Sequence, residues 1–249
     1  MRLFDSHAHV QKPAEELLER AKHGSVQGLM NIATDPQTLE YALGLAYEGI
    51  DIYRSGATTP HDIDANEVAF FQLIEQATAE KKLHAIGETG LDYYYTYVER
   101  KIQQEVFIRY AHLAKKERLP LIIHCREAFE DLFSILDNER IGIPILLHCF
   151  TGTKEEAERA LDRNYSISFS GIITFPNAHE LREVVSFMPI EKMLIETDTP
   201  YLAPVPYRGK KNEPSYIIET AKCIAATKKM PLEHIAEETF LNAETLFRR

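Results

Sequence analysis

Short β-rich apolar runs alternate along this chain with longer stretches of helical periodicity. The strand-like runs are residues 2–5, 27–32, 51–55, 84–88, 121–124, 145–148, 166–170 and 193–196. Amphipathic segments at 13–22, 66–82, 99–117, 154–163 and 178–187 separate several of them, and 215–227 and 232–247 close the chain as helices. Asp35-Pro36, and Thr153 followed by Glu155-Glu156, read as helix starts. Strands in strict alternation with helices imply a parallel sheet. The 249 residues match one barrel of eight strand–helix units. An open doubly wound sheet is the rival, but it carries a Gly-rich phosphate loop after its first strand, where this chain has His7-Ala8-His9. No repeat or Pro/Gly-rich linker divides the sequence. The expected fold is α/β, a single-domain (β/α)₈ TIM barrel spanning residues 1–249.

Six potential metal ligands fall at the C-terminal ends of these runs: His7 and His9 after the first, Glu88 at the fourth, His124 at the fifth, His148 at the sixth and Asp198 after the eighth. That is the rim on which barrel enzymes build their sites, and scattered core residues would not favour one end. Residues two apart on a strand share a face, so His7 pairs with His9 and His124 with Ile122. Cys125 and Cys149 then face the outer helices and read as small apolar residues. Imidazoles with two carboxylates suit a pair of divalent cations, and a central Glu88 can bridge them. Two cations roughly 3.5–4 Å apart clamp an in-line displacement and activate a shared water. The remaining histidines outside loops, His23, His84, His112, His179 and His234, read as structural or surface residues.

Composition narrows the class. A hydrophobic fraction of 45% with 27% charged residues is ordinary for a soluble globular protein. No apolar run is long enough to span a bilayer, and polar residues arrive too early for a signal peptide, so the expected location is cytoplasmic, with no membrane partner. Three cysteines without CxxC spacing suit a reducing compartment. The net charge of −10 argues against long, sequence-specific duplex binding, although bound cations and a local basic patch can still receive phosphates.

The motifs carry a family resemblance across essentially the whole chain. Asp5-Ser6-His7-Ala8-His9, Gly87-Glu88-Thr89-Gly90-Leu91-Asp92-Tyr93, Ile123-His124-Cys125-Arg126, His148-Cys149-Phe150-Thr151-Gly152 and Glu196-Thr197-Asp198-Thr199-Pro200 resemble TatD-type metal-dependent deoxyribonucleases of the amidohydrolase-like superfamily. The stretch from Tyr207 to Pro214 and the terminal Asn242-Ala243 fit as well. The resemblance implies one cation on His7, His9, Glu88 and Asp198, and a second on Glu88, His124 and His148. Asp198 would orient or deprotonate the attacking water. It also implies two divalent metal ions (Mg, Mn or Zn) and DNA trimmed from the 3′ end as substrate. One departure is Ala57-Thr58-Thr59-Pro60-His61-Asp62, in which Thr59 stands where the family usually has a histidine. His61 is expected to be an exposed loop residue.

On the substrate side, Arg126, Arg208, Lys210 and Tyr93 are the candidate contacts. Lys211 extends the basic loop, and Tyr94, Tyr95 and Tyr97 follow Tyr93 as rings on which bases could stack or which could pack as a cap. A hydrolase of a small ester, lactone, amide or aminoacyl bond is the alternative, and a non-catalytic binding protein is a third. No protein partner is evident.

Overall fold

In the computed structural model, which describes residues 1–248, eight parallel strands lie in sequence order around one sheet. In chain order the elements are β1 (Leu3–Ala8), α1 (Glu15–His23), β2 (Val26–Ala33), α2 (Pro36–Gly44), β3 (Asp51–Gly56), α3 (Glu67–Ala79) and β4 (Ala85–Asp92). They continue with α4 (Arg100–Glu117), β5 (Leu121–Arg126), α5 (Phe129–Asn138), β6 (Ile145–Leu147), α6 (Lys154–Asp162) and β7 (Ser166–Phe169). The chain closes with α7 (His179–Phe187), β8 (Met193–Ile195), α8 (Ile217–Lys228) and α9 (Leu232–Phe247). A parallel bridge between Ala8 and Thr199 joins the last strand region to the first, with His9 N donating to Thr199 O at 2.8 Å and Asp198 N to His7 O at 2.9 Å. The barrel expected from the alternation is the fold found.

Alternation along each strand sorts its side chains into two cores. Phe4, Met30, Ile32, Ala85, Ile122, Leu146 and Leu194 fill the interior, joined by Phe240, Ala243 and Phe247 of α9. Their neighbours Leu3, Leu29, Ile86, Ile123, Leu147 and Ile195 pack outward under the helices. The predicted helix starts are capping boxes: Asp35 with Thr38 at α2, and Thr153 with Glu156 at α6. Each satisfies backbone donors that a helix terminus leaves unpaired. Among the described residues no helix is long and apolar enough to cross a membrane.

The two strands β1 and β4, which carry ligand candidates, depart from simple alternation. The register of β1 against β2 slips between Asp5 and Ala8, and that of β4 against β5 slips between Ile86 and Thr89. Phe4 points into the barrel, so His7, an odd number of residues on, faces the same interior only because of the slip. Ala85 and Glu88 stand in the same relation. Moreover β4 runs on to Asp92, so Glu88 lies within the strand rather than ending it, while β6 stops at Leu147 and His148 follows it.

Candidate metal centre

Glu88 sits at the middle of the constellation, buried, with its two carboxylate oxygens facing different groups of histidines. Oε2 lies 3.4 Å from His7 Nε2 and 3.6 Å from His9 Nε2. Oε1 lies 2.9 Å from His148 Nε2 and 3.0 Å from His124 Nδ1. Asp198 Oδ1 completes the first group at 3.6 Å from His9 Nε2 and 3.9 Å from His7 Nε2. The rings of His7 and His148 stack at 3.9 Å and connect the two groups. All six side chains singled out in the sequence therefore converge on one site, with Glu88 between its two groups of histidines.

The donors suit divalent cations. His7 Nε2 and His9 Nε2 approach to 3.3 Å. A tetrahedron with metal–nitrogen bonds of about 2.0–2.1 Å has edges of about 3.4 Å, near the spacings of this first group. The second group, Glu88, His124 and His148, has ligand atoms all within 4.8 Å of one another. Electrostatics agrees with the geometry. Burial works against charge on Glu88, yet His148, His124 and His7 outweigh it and hold its carboxyl well below the usual range. Burial likewise opposes charge on His148, but Glu88 and Glu196 raise that imidazole well above its ordinary value. The buried anion draws positive charge to its surroundings, a demand that a cation also meets.

Behind these groups stand carboxylates that the ligand pattern did not single out. His124 donates from Nε2 to Asp92 Oδ2 at 2.9 Å, which fixes the ring and leaves Nδ1 for the centre. Glu196 Oε1 lies 3.4 Å from His148 Nδ1, and Ser168 hydrogen-bonds the same carboxylate. Asp5 accepts from Thr197 Oγ1 at 2.5 Å and Thr197 N at 2.9 Å, tying β1 to the segment that carries Asp198. Burial pushes the Asp5 carboxyl up to about 8. Both Asp92 and Glu196 lie in motifs quoted above, but nothing in a one-dimensional pattern says that they face a histidine.

The centre opens into a cavity of about 550 Å³ lined by Arg126, Thr59, His61, Tyr95, Cys149 and Tyr201 among others. Arg126 is where the sequence suggests. Tyr93 is not: its hydroxyl donates to Asp131 at 2.7 Å and accepts from Gln104 at 2.8 Å, and the Arg100 guanidinium covers its ring at 4.3 Å. Burial, followed by the bond to Asp131, pushes the Tyr93 hydroxyl up to about 12. Tyr95 takes the wall instead. Arg208 and Lys210 are exposed on the loop after β8 and do not line the cavity; Arg208 lies over Phe175 at 3.7 Å.

Two further expectations change. His61 is half-buried on the cavity wall, 5.7 Å from the His124 ring, rather than an exposed loop residue, and Thr59 donates to Asp62 at 2.8 Å. Cys149 does not face the helices. Its backbone takes φ 44°, and Sγ sits 3.2 Å from Ser170 Oγ; Cys149 and Cys125 both border the cavity, and Cys125 is also buried in the outer core. His23, His84, His112, His179 and His234 all lie away from the cavity, with local partners such as Glu139 for His112 at 2.8 Å.

Comparison with known proteins places this geometry. The profile of TatD-related DNases matches residues 4–248. The chain is 41% identical to YabD of Bacillus subtilis, an uncharacterized metal-dependent hydrolase, over 99% of each chain. It is 36% identical to the uncharacterized metal-dependent hydrolase YcfH of Escherichia coli, over 99% of this chain and 96% of the other. The crystal structure of YjjV, a TatD homologue from Escherichia coli, superposes with a TM-score of 0.92 at 27% identity, covering 100% of this chain and 98% of that one. With the profile matched over nearly every residue, the chain belongs to the TatD-related DNase family and is a metal-dependent hydrolase.

Proposed function

We propose that this enzyme hydrolyses phosphodiester bonds in DNA, at ends or in single strands and in the 3′–5′ exonuclease manner, with two divalent cations. The observation that carries the reading is the division of Glu88: one oxygen faces His7 and His9, the other His124 and His148. His7, His9, Glu88 and Asp198 would hold one cation, and Glu88, His124 and His148 the second; Mg, Mn and Zn all suit the mixed nitrogen and oxygen donors. When bound, the cations supply charge neutralisation at the phosphoryl oxygens and a water of lowered pKa. Asp198, on the cavity wall, would orient the attacking water and accept its proton. Arg126 reaches the phosphate from the other side. Arg208 and Lys210, outside the cavity, are left to meet phosphates further along the strand. The free cysteines accord with the cytoplasmic location expected from sequence.

A second reading, hydrolysis of a small ester, lactone, amide or aminoacyl bond, draws on the modest cavity and on the absence of Arg208 and Lys210 from its wall. Chelated protein reloaded with manganese and offered a labelled single-stranded oligonucleotide beside aryl ester and lactone substrates separates the two. Metal-restored cleavage of the oligonucleotide, lost in Glu88→Gln, is the expected result. Restoration of ester or lactone cleavage alone would replace the nuclease reading with the second.

A further inference from the structure

The segment after β4 carries three tyrosines in the open. Tyr94, Tyr95 and Tyr97 are 52%, 38% and 74% exposed, whereas most large apolar side chains of the fold are buried. They are not scattered. Tyr95 and Tyr97 lie parallel, centroids 5.4 Å apart at 13°, and Tyr94 meets Tyr95 edge-on at 5.1 Å. The guanidinium of Arg126 lies 3.6 Å over Tyr94 and 5.2 Å from Tyr95. Among the described residues no carboxylate pairs with Arg126. The aromatic group is registered to the centre, because Asp92, whose Oδ2 accepts from His124, also accepts through Oδ1 from Tyr94 N at 3.0 Å and Tyr95 N at 2.9 Å. Tyr95, Arg126 and Glu88 line the same cavity.

A flat ring surface beside an unpaired guanidinium matches a nucleotide, which presents a base plane next to a phosphate. The cavity, at about 550 Å³, falls among small-ligand pockets of roughly 300–1,000 Å³, room for one nucleotide beside the centre. We infer that Tyr95 and Tyr97, backed by Tyr94 and Arg126, form a stacking subsite for the unpaired base beside the scissile phosphate. This inference rests on the nuclease reading above and adds to it which side chains hold the substrate. Stacking is tolerant of base identity, so no sequence preference is built into this rim.

Binding tests it apart from turnover. A fluorescently labelled single strand with phosphorothioate linkages is titrated with manganese-loaded protein and followed by anisotropy. Tyr95→Ala and Tyr97→Ala are expected to weaken binding roughly tenfold, and Tyr95→Phe and Tyr97→Phe to bind as the unsubstituted protein does. A strand of abasic residues should bind the unsubstituted protein about as weakly as Tyr95→Ala binds the ordinary strand, and lose little more in that variant. The subsite is overturned if no single strand binds, if Tyr95→Ala binds the ordinary strand normally, or if it loses the abasic strand to the same degree. Binding through the tyrosines without hydrolysis of any phosphodiester would instead remove the nuclease reading and leave the subsite standing.

Discussion

Asp92 divides one carboxylate between the centre and its rim. Oδ2 accepts from His124 Nε2, and Oδ1 accepts from the backbone of Tyr94 and Tyr95. A histidine whose far nitrogen donates to a carboxylate presents its near nitrogen as a lone pair in a fixed direction, and here Nδ1 points at Glu88. Burial disfavours charge on Asp92, but the bonds from His124 and from Tyr95 N outweigh it and hold the carboxyl below its ordinary value. Asp92→Asn preserves shape while removing the charge that selects this tautomer. Metal affinity measured by calorimetric titration should fall roughly 10–100-fold, with the global unfolding transition little changed. Unaltered affinity would mean that His124 is oriented by packing alone. The Asp92 role was hidden in the sequence for a simple reason: its partner lies 32 residues away on the neighbouring strand, and spacing along the chain carries no information about that pairing.

At the scale of elements, β4 explains both how much was legible and where legibility stopped. Alternation of side chains correctly sorted β5, where Ile122 and His124 face inward and Cys125 outward. It cannot sort β1 and β4 by itself, because each contains a register slip that changes which residues face the barrel. The slip in β4 is flanked by glycines at φ +138° (Gly87) and +152° (Gly90), a region that side chains rarely enter. A Cβ on Gly90 would also run into the backbone carbonyl of His124. In a sequence these glycines read as punctuation and place the strand's end at Glu88, whereas it continues to Asp92. Loop-facing residues failed for a related reason: Tyr93 and Tyr95 are indistinguishable until a fold says which one has Asp131 and Gln104 behind it. Gly90→Ala should cost about 1–3 kcal/mol from backbone strain and the displaced carbonyl, lowering the melting temperature by several degrees. It should also weaken metal binding, since β4 carries Glu88 and Asp92 against the strand that carries His124. A variant with unchanged melting temperature and metal affinity would show that β4 tolerates a regular backbone there.

For the whole molecule, the candidate ligands come from both ends of the chain: His7 lies near the end of β1 and His9 just after it, Asp198 on the segment that closes β8 onto it, with Asp5 and Thr197 hydrogen-bonded between them. The barrel is thus closed by the same contacts that bring these candidates together, so cation binding at this centre is expected to be coupled to global stability. Glu88, Asp198, Asp92 and Glu196 gather at this rim in a chain of net charge −10, and a divalent cation relieves that concentration of negative charge only in the folded state. A ligand at 100 times its dissociation constant stabilises the native state by about 2.7 kcal/mol. For a domain of this size that corresponds to roughly 5–10 °C in melting temperature. Calorimetry of chelated protein with and without saturating manganese should show an upward shift of that order, smaller in Glu88→Gln because one carboxylate no longer serves both groups. Calcium or sodium at matched ionic strength controls for general screening, which acts on all surface charges alike. Equal melting temperatures with and without manganese, in protein shown by titration to bind it, would mean that the unfolded chain binds the cation as well as the folded one. Because His7 and Asp198 lie 191 positions apart in sequence, that result would contradict a centre assembled by barrel closure.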